Sequence, residues 1–240
     1  MEQKTRIGMN RTGLKTAAEP DQEAVRDLQA VEAASGNGER IDATRVDYAV
    51  EAEPLGTVPV PATAKGMAKA AVQALAGRRP EVLIDRIGER LAFERSGTRL
   101  YDALLSKAKA DPAAVPDATL ERLAEFREEE ARHFNLLADA LQRLGADPTA
   151  ETPGADASGV ASLGLLQAVA DPRTTLPQAL EAVLIAELAD HAGWELLITL
   201  AREFGQDELA DEFTIALREE EEHLATVKRW LVEAVRRDAA

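Results

Sequence analysis

The chain has 240 residues, enough for one well-buried core or a core with a small appendage. Its 43 acidic against 28 basic residues leave a net charge of -15, which disfavours nucleic acid and anionic membrane as partners. It has no cysteine, which excludes disulfides, zinc ribbons, iron–sulfur clusters and a built-in rubredoxin-type electron path.

Met1-Glu2-Gln3-Lys4-Thr5-Arg6 leads into no apolar run, so no signal peptide is expected. The longest mostly apolar run, Gly159 to Ala170, is too short to span a bilayer. A cytoplasmic location is the default expectation. Frequent Ala, Leu, Glu and Arg with 4% aromatics is the composition of an all-α protein.

Residues 1–62 read as an N-terminal extension of mixed charge, Gly, Pro and Thr. Asp21 to Ala34 can form one amphipathic helix with Val25, Leu28 and Val31 on a face. Pro54 to Pro61 should run extended. The expected arrangement is a partly ordered tail lying on the main domain. Residues 63–79 read as a short accessory helix, Thr63 to Ala76, closed by Gly77.

Residues 80–240 carry four long helical patterns. The first follows Pro80, which suits a first helical turn, and stops at Asp111-Pro112. Its stripe is Ile84, Ile87, Leu91, Glu94, Thr98, Tyr101 and Leu105, while Arg95 and Arg99 face outward. The second begins after Pro116 and ends at Gly145, with the stripe Leu123, Phe126, Glu130, His133, Leu137, Ala140 and Leu144. The short connection between them predicts antiparallel packing. Asp147 to Thr175 is a long connection, with a helix expected from Ser158 to Ala170, and its length permits a crossover along a bundle. The third pattern runs from Pro177 to Phe204, with the stripe Leu180, Leu184, Glu187, His191, Trp194, Ile198 and Ala201. The fourth runs from Asp207 to Arg237, with Leu209, Phe213, Ala216, Glu220, His223, Val227, Trp230 and Ala234.

Two of the three histidines sit in Glu-x-x-His: Glu130 with His133, and Glu220 with His223. Residues i and i+3 of a helix share a face, so a carboxylate and an imidazole can grip one ion. Both pairs stand where the stripe calls for Leu. The adjacent Glu128, Glu129, Glu221 and Glu222 read as solvated face. A carboxylate in an apolar seam must be paired, protonated or metal-bound, and no Lys or Arg lies on either stripe.

The halves repeat. Glu94 precedes Glu130 by 36 residues, and Glu187 precedes Glu220 by 33. An aromatic follows each first Glu by seven residues, Tyr101 and Trp194. In antiparallel helices these mid-helix points meet in one layer, so four Glu and two His converge. Two divalent ions would neutralise four carboxylates, and a carboxylate–imidazole set suits iron or manganese. His191, one turn after Glu187, is either a hydrogen-bond partner of a ligand, a seventh ligand or a proton donor. Asp190 is a similar hydrogen-bonding candidate. Tyr101 is either a core aromatic or an electron donor.

Over residues 80–237 the chain resembles the ferritin-like superfamily, on Glu94, Glu130, His133, Glu187, Glu220, His223 and Tyr101. The resemblance implies an antiparallel four-helix bundle with a long crossover between the second and third helices. It implies Glu130 and Glu220 bridging two Fe ions (Mn or a mixed pair as alternatives), Glu94 and Glu187 as terminal ligands, and one His on each ion. The activity expected is ferroxidase, peroxidase or oxidase, with O2 or hydrogen peroxide as partner, an external electron donor, and catalytic roles for Tyr101 and His191. Homo-oligomerisation is compatible with it. Little sequence follows the fourth helix to make a fifth, and the crossover carries its own helix; both count against a storage cage. Iron storage and a non-catalytic helical interaction module are the alternative functions.

Overall fold

The computed structural model describes residues 39–61, 63–64, 66–68, 79–111 and 115–239. The expected helix at Asp21 to Ala34 lies outside the described residues. Six helices have defined bounds: α1 Glu39–Glu51, α2 Pro80–Lys109, α3 Asp117–Leu144, α4 Pro153–Ala170, α5 Leu176–Glu203 and α6 Asp207–Asp238. The described residues carry no strand pairing beyond a single bridge residue, and the protein is an all-α helical bundle. No described helix is long and apolar enough to cross a membrane.

Local chemistry sets the ends. Pro80 opens α2, and Gly145 closes α3 with φ 85°; its N–H donates to Gln142 and the next N–H to Leu141, so the last carbonyls are satisfied. Gly205 repeats this device after α5, with φ 66° and the Gln206 N–H donating to Ala201. It makes the tight turn into α6. Thr175 and Gln178 form a reciprocal capping box at the start of α5.

The crossover is itself a helix. α4 begins at Pro153, five residues before the expected Ser158, because Thr152 caps it by accepting from the Ala155 N–H. Asp85 of α2 accepts from the Gly154 N–H at 2.8 Å, and Lys107 at the far end of α2 donates to the carbonyls of Asp171 and Thr174. α4 therefore runs parallel to α2, pinned at both ends, and carries the chain down the length of the bundle. α3 and α5 run antiparallel to α2, and α6 runs antiparallel to α3.

α1 was not foreseen. Its Tyr48 is 69% exposed, and its mostly polar sequence places only Ala43, Val46 and Val50 at helical spacing. The Pro-rich stretch after it is extended and docks on the bundle through Val58, which is fully buried against the cluster containing Leu83, Ile84 and Ile87. Of the accessory segment, Thr63 accepts from the Gly66 N–H and Met67 donates back to the Thr63 carbonyl, a helical start.

Two apolar clusters fill the bundle. One holds Ile87, Leu91, Leu137, Trp194 and Phe213; the other holds Leu104, Leu123, Phe126, Val183 and Val227. The polar layer lies between them in sequence register on every one of α2, α3, α5 and α6.

Candidate metal centre

That layer contains Glu94 from α2, Glu130 and His133 from α3, Glu187 from α5, and Glu220 and His223 from α6. All six are at most 2% exposed. The α3 and α6 stripes are buried as periodicity predicts, apart from Leu144 and Trp230, which are half-buried. Since each stripe continues through Glu and His without a break, the helices carry these groups inward whatever the local cost.

The donors converge. One ligand atom each from Glu130, Glu187, Glu220 and His223 lie within 4.8 Å of one another, and so do those of Glu94, His133 and Glu220. Glu220 belongs to both sets. A further grouping joins Glu94, Glu130, Glu220 and Asp190.

The histidines are oriented from outside. His133 Nε2 lies 2.7 Å from Glu219 Oε2, and His223 Nε2 lies 2.7 Å from Glu129 Oε2. The hydrogen bond from His133 holds the Glu219 carboxyl below its usual range; for Glu129, burial pushes upward, but the His223 hydrogen bond together with the His223 and Arg122 charges outweighs it. Both carboxylates are ionised acceptors, so Nε2 carries the proton and Nδ1 faces the centre. A histidine ligand with a carboxylate on its other nitrogen is the usual arrangement at metal sites. Glu129 thus does not read as solvated face: its side chain is 15% exposed and bound across the bundle. The signal for both residues was present as Glu-Glu-x-x-His, 129–133 and 219–223.

Buried polar atoms at the centre lack hydrogen-bond partners: both oxygens of Glu94 and Glu220, Glu130 Oε2, Glu187 Oε2, and Nδ1 of His133 and His223. His133 Nδ1 is 2.8 Å from Glu220 Oε1, yet the pair is not aligned as a hydrogen bond. Lone pairs that converge without bonding one another suit a cation placed between them. Room is made on the backbone side: a Cβ on Gly97 would collide with Glu130 Oε2. The donor set fits a pair of transition ions.

With protein groups alone, protons offset the charge. Burial, then the neighbouring Glu220 and Glu94, push Glu130 up to about 8. Burial likewise raises Glu187 well above the carboxylate range. Burial disfavours the charged imidazoles, but the hydrogen bonds to Glu219 and to Glu129, with the nearby charges of Glu94 and Glu220, raise His133 and His223. Burial also opposes ionisation of Glu220, and the two imidazoles overcome it and hold that carboxyl low.

Tyr101 is fully buried, and its hydroxyl donates to Glu187 Oε1 at 2.6 Å. Burial first, then Glu187 and Glu130, hold its pKa well above the ordinary value, so it keeps its proton. His191 is not brought to the cluster. Its side chain is 25% exposed and its nearest acidic partner is Glu195, at 3.8 Å. Glu187 has two next-turn neighbours, and α5 is rotated so that Asp190 at i+3 turns inward and His191 at i+4 turns out. Arg95 and Arg99 are exposed as expected. Arg90, which periodicity missed, is buried beside Glu94 and Asp190.

A family model, the ferritin-like domain, matches residues 117–236, which is half of the chain and spans α3 to α6 with five of the six donors. No curated protein and no solved structure gives a match. With the helical bundle and the buried carboxylate–histidine layer, that match establishes that the chain belongs to the ferritin-like family.

Proposed function

We propose that the protein is a dinuclear metal oxidoreductase, taking two iron ions, or manganese or a mixed pair, and reacting with O2 or hydrogen peroxide. One observation carries the reading: six buried donors from four helices converge while their inward atoms bond nothing else. Glu130 and Glu220 would be the ligands available to both ions, Glu94 and Glu187 would each serve one, and His133 and His223 would offer Nδ1. Two such ions supply, when bound, a paired redox centre that O2 or peroxide can oxidise.

The chain's own groups prepare that centre. Glu129 and Glu219 hold the Nε2 protons, fixing both imidazoles in the ligand tautomer. Tyr101 donates to Glu187 and fixes its orientation; as a phenol beside a ligand it also stands where an electron donor would act. The two apolar clusters exclude bulk water, so the donors meet the ions undiluted by solvent. Lacking cysteine, the chain offers no thiolate-held relay, and its reductant comes from outside.

The test is a metal count on the purified chain by elemental analysis, followed by addition of Fe(II) and air with near-ultraviolet absorbance as the readout. About two ions per chain and a growing ferric absorbance are expected. No tightly held metal would overturn the reading in favour of a helical interaction module, and a large assembly holding many irons per chain would replace it with storage.

A further inference from the structure

The two ends of the metal layer have alike donors and unlike surroundings. At one end Tyr101 fixes Glu187, and four ligand residues are within reach of one ion. At the other, the Glu94 carboxylate accepts no hydrogen bond, and it shares one set with His133 and Glu220 and another with Glu130, Asp190 and Glu220. Arg90 stands one turn before Glu94; the residue four before Glu187 is Val183.

Arg90 is a fixed, buried cation. Its guanidinium lies 4.0 Å over the Phe93 ring, and Nη1 donates to the carbonyls of Ala189 and Asp190 at 3.3 Å each. The same Nη1 is 3.2 Å from Asp190 Oδ1, and Nε is 3.7 Å from Glu94 Oε1. Gly193 supplies the space, since a Cβ there would collide with the guanidinium. Asp190 is itself within ligand reach of Glu94, Glu130 and Glu220, but it faces Arg90.

The geometry points to Arg90 as a positioning residue that makes the Glu94–His133 position the weaker and more exchangeable of two metal positions. It competes with an ion for Glu94 and holds Asp190 off the centre. This rests on the metal reading above. A positive charge beside a ligand oxygen subtracts from what that oxygen gains by binding a divalent ion, and burial leaves the effect little screened. Asp190 partly offsets the Arg90 charge, so the two side chains have opposite influences on that position.

The experiment titrates the metal-stripped full chain with Co(II), read by visible absorption and calorimetry. The wild type should bind in two steps at least about tenfold apart, and Arg90→Gln should tighten the weaker step by about tenfold. Asp190→Asn, leaving the guanidinium uncompensated, should weaken that step by a similar factor, and His133→Ala should remove it. General loosening of the core would weaken binding in both variants, so opposite signs identify positioning. Thermal melts by circular dichroism verify folding. If Arg90→Gln does not fold, Asp190→Asn and His133→Ala decide. Two equal steps in the wild type, or Asp190→Asn leaving the weaker step unchanged, overturns the inference while the metal reading stands. No Co(II) binding by the wild type overturns both.

Discussion

α3 and α6 present the same donor pattern, whereas α2 and α5 surround their donors differently. Each of the first pair carries Glu-Glu-x-x-His, and each lends its outer Glu to the other's histidine: Glu129 to His223, Glu219 to His133. α2 brings Arg90, Gly97 and Tyr101 around its one inward donor, Glu94; α5 brings Val183, Asp190 and Trp194 at the matching positions around Glu187. The difference separates two tasks. The symmetric helices build the donor frame, and the asymmetric ones decide what each end of it is like. Tyr101 gives Glu187 a hydrogen bond, while Trp194 packs edge-on against the His133 ring at 5.4 Å with its indole N–H unpartnered.

The strongest way to break this comparison is Gly97→Ala. Its methyl would occupy the place of the Glu130 carboxylate, so an α2 residue would dismantle the frame that α3 and α6 build. Dinuclear binding should be lost, with overpacking costing about 1–3 kcal/mol. Elemental analysis and chemical denaturation measure the two effects, and retention of both ions would show that Glu130 is not a shared ligand.

A sharper cut comes from Glu129→Ala and Glu219→Ala. Each should weaken one ion by about 10–100-fold and largely spare the other, the effect of removing a partner of a ligating histidine. The effects should cross helices: Glu129→Ala on α3 acts on the ion held by His223 of α6, and Glu219→Ala acts on the His133 ion. Stepwise titration beside His223→Ala and His133→Ala tells whether the pairing crosses.

The smallest effect is on pH. Glu130, pushed up to about 8 by burial, has a folded value above its unfolded one. Its contribution is therefore fully present below the ordinary carboxylate range and is lost as pH rises through about 8. The raised histidines act in the same direction above their ordinary range. In the presence of a chelator the melting temperature should fall between about pH 6 and 8, and Glu130→Gln should flatten that fall. With metal bound the trend should reverse, because ions compete with protons for these groups. A chelated protein whose melting temperature rises over that range would contradict the burial argument.

Much of the centre was legible in the chain. Leu123, Phe126, Glu130, His133 and Leu137 keep helical period through two polar residues, and Phe213, Ala216, Glu220, His223 and Val227 do the same. Less legible were residues whose role depends on a neighbouring helix. Glu129 is just off its stripe, and only the α6 histidine beside it makes it more than solvated surface. Asp190 and His191 both lie one turn from Glu187, and the way α5 packs on its neighbours buried the first and left the second part-exposed. α1 carries only Ala43, Val46 and Val50 at helical spacing in a polar sequence, too short a stripe to set it apart from the rest of the extension.

By itself, the order of residues determined four amphipathic helices, the turns between them and the six inward donors, because period and capping are properties of a single helix. The tertiary structure alone decided which carboxylate holds which histidine, that Gly97 and Gly193 leave room for Glu130 and Arg90, and that a buried guanidinium stands beside Glu94. Those are contacts between helices distant in sequence, and a pattern read along one helix carries no information about the side chains that another will press against it.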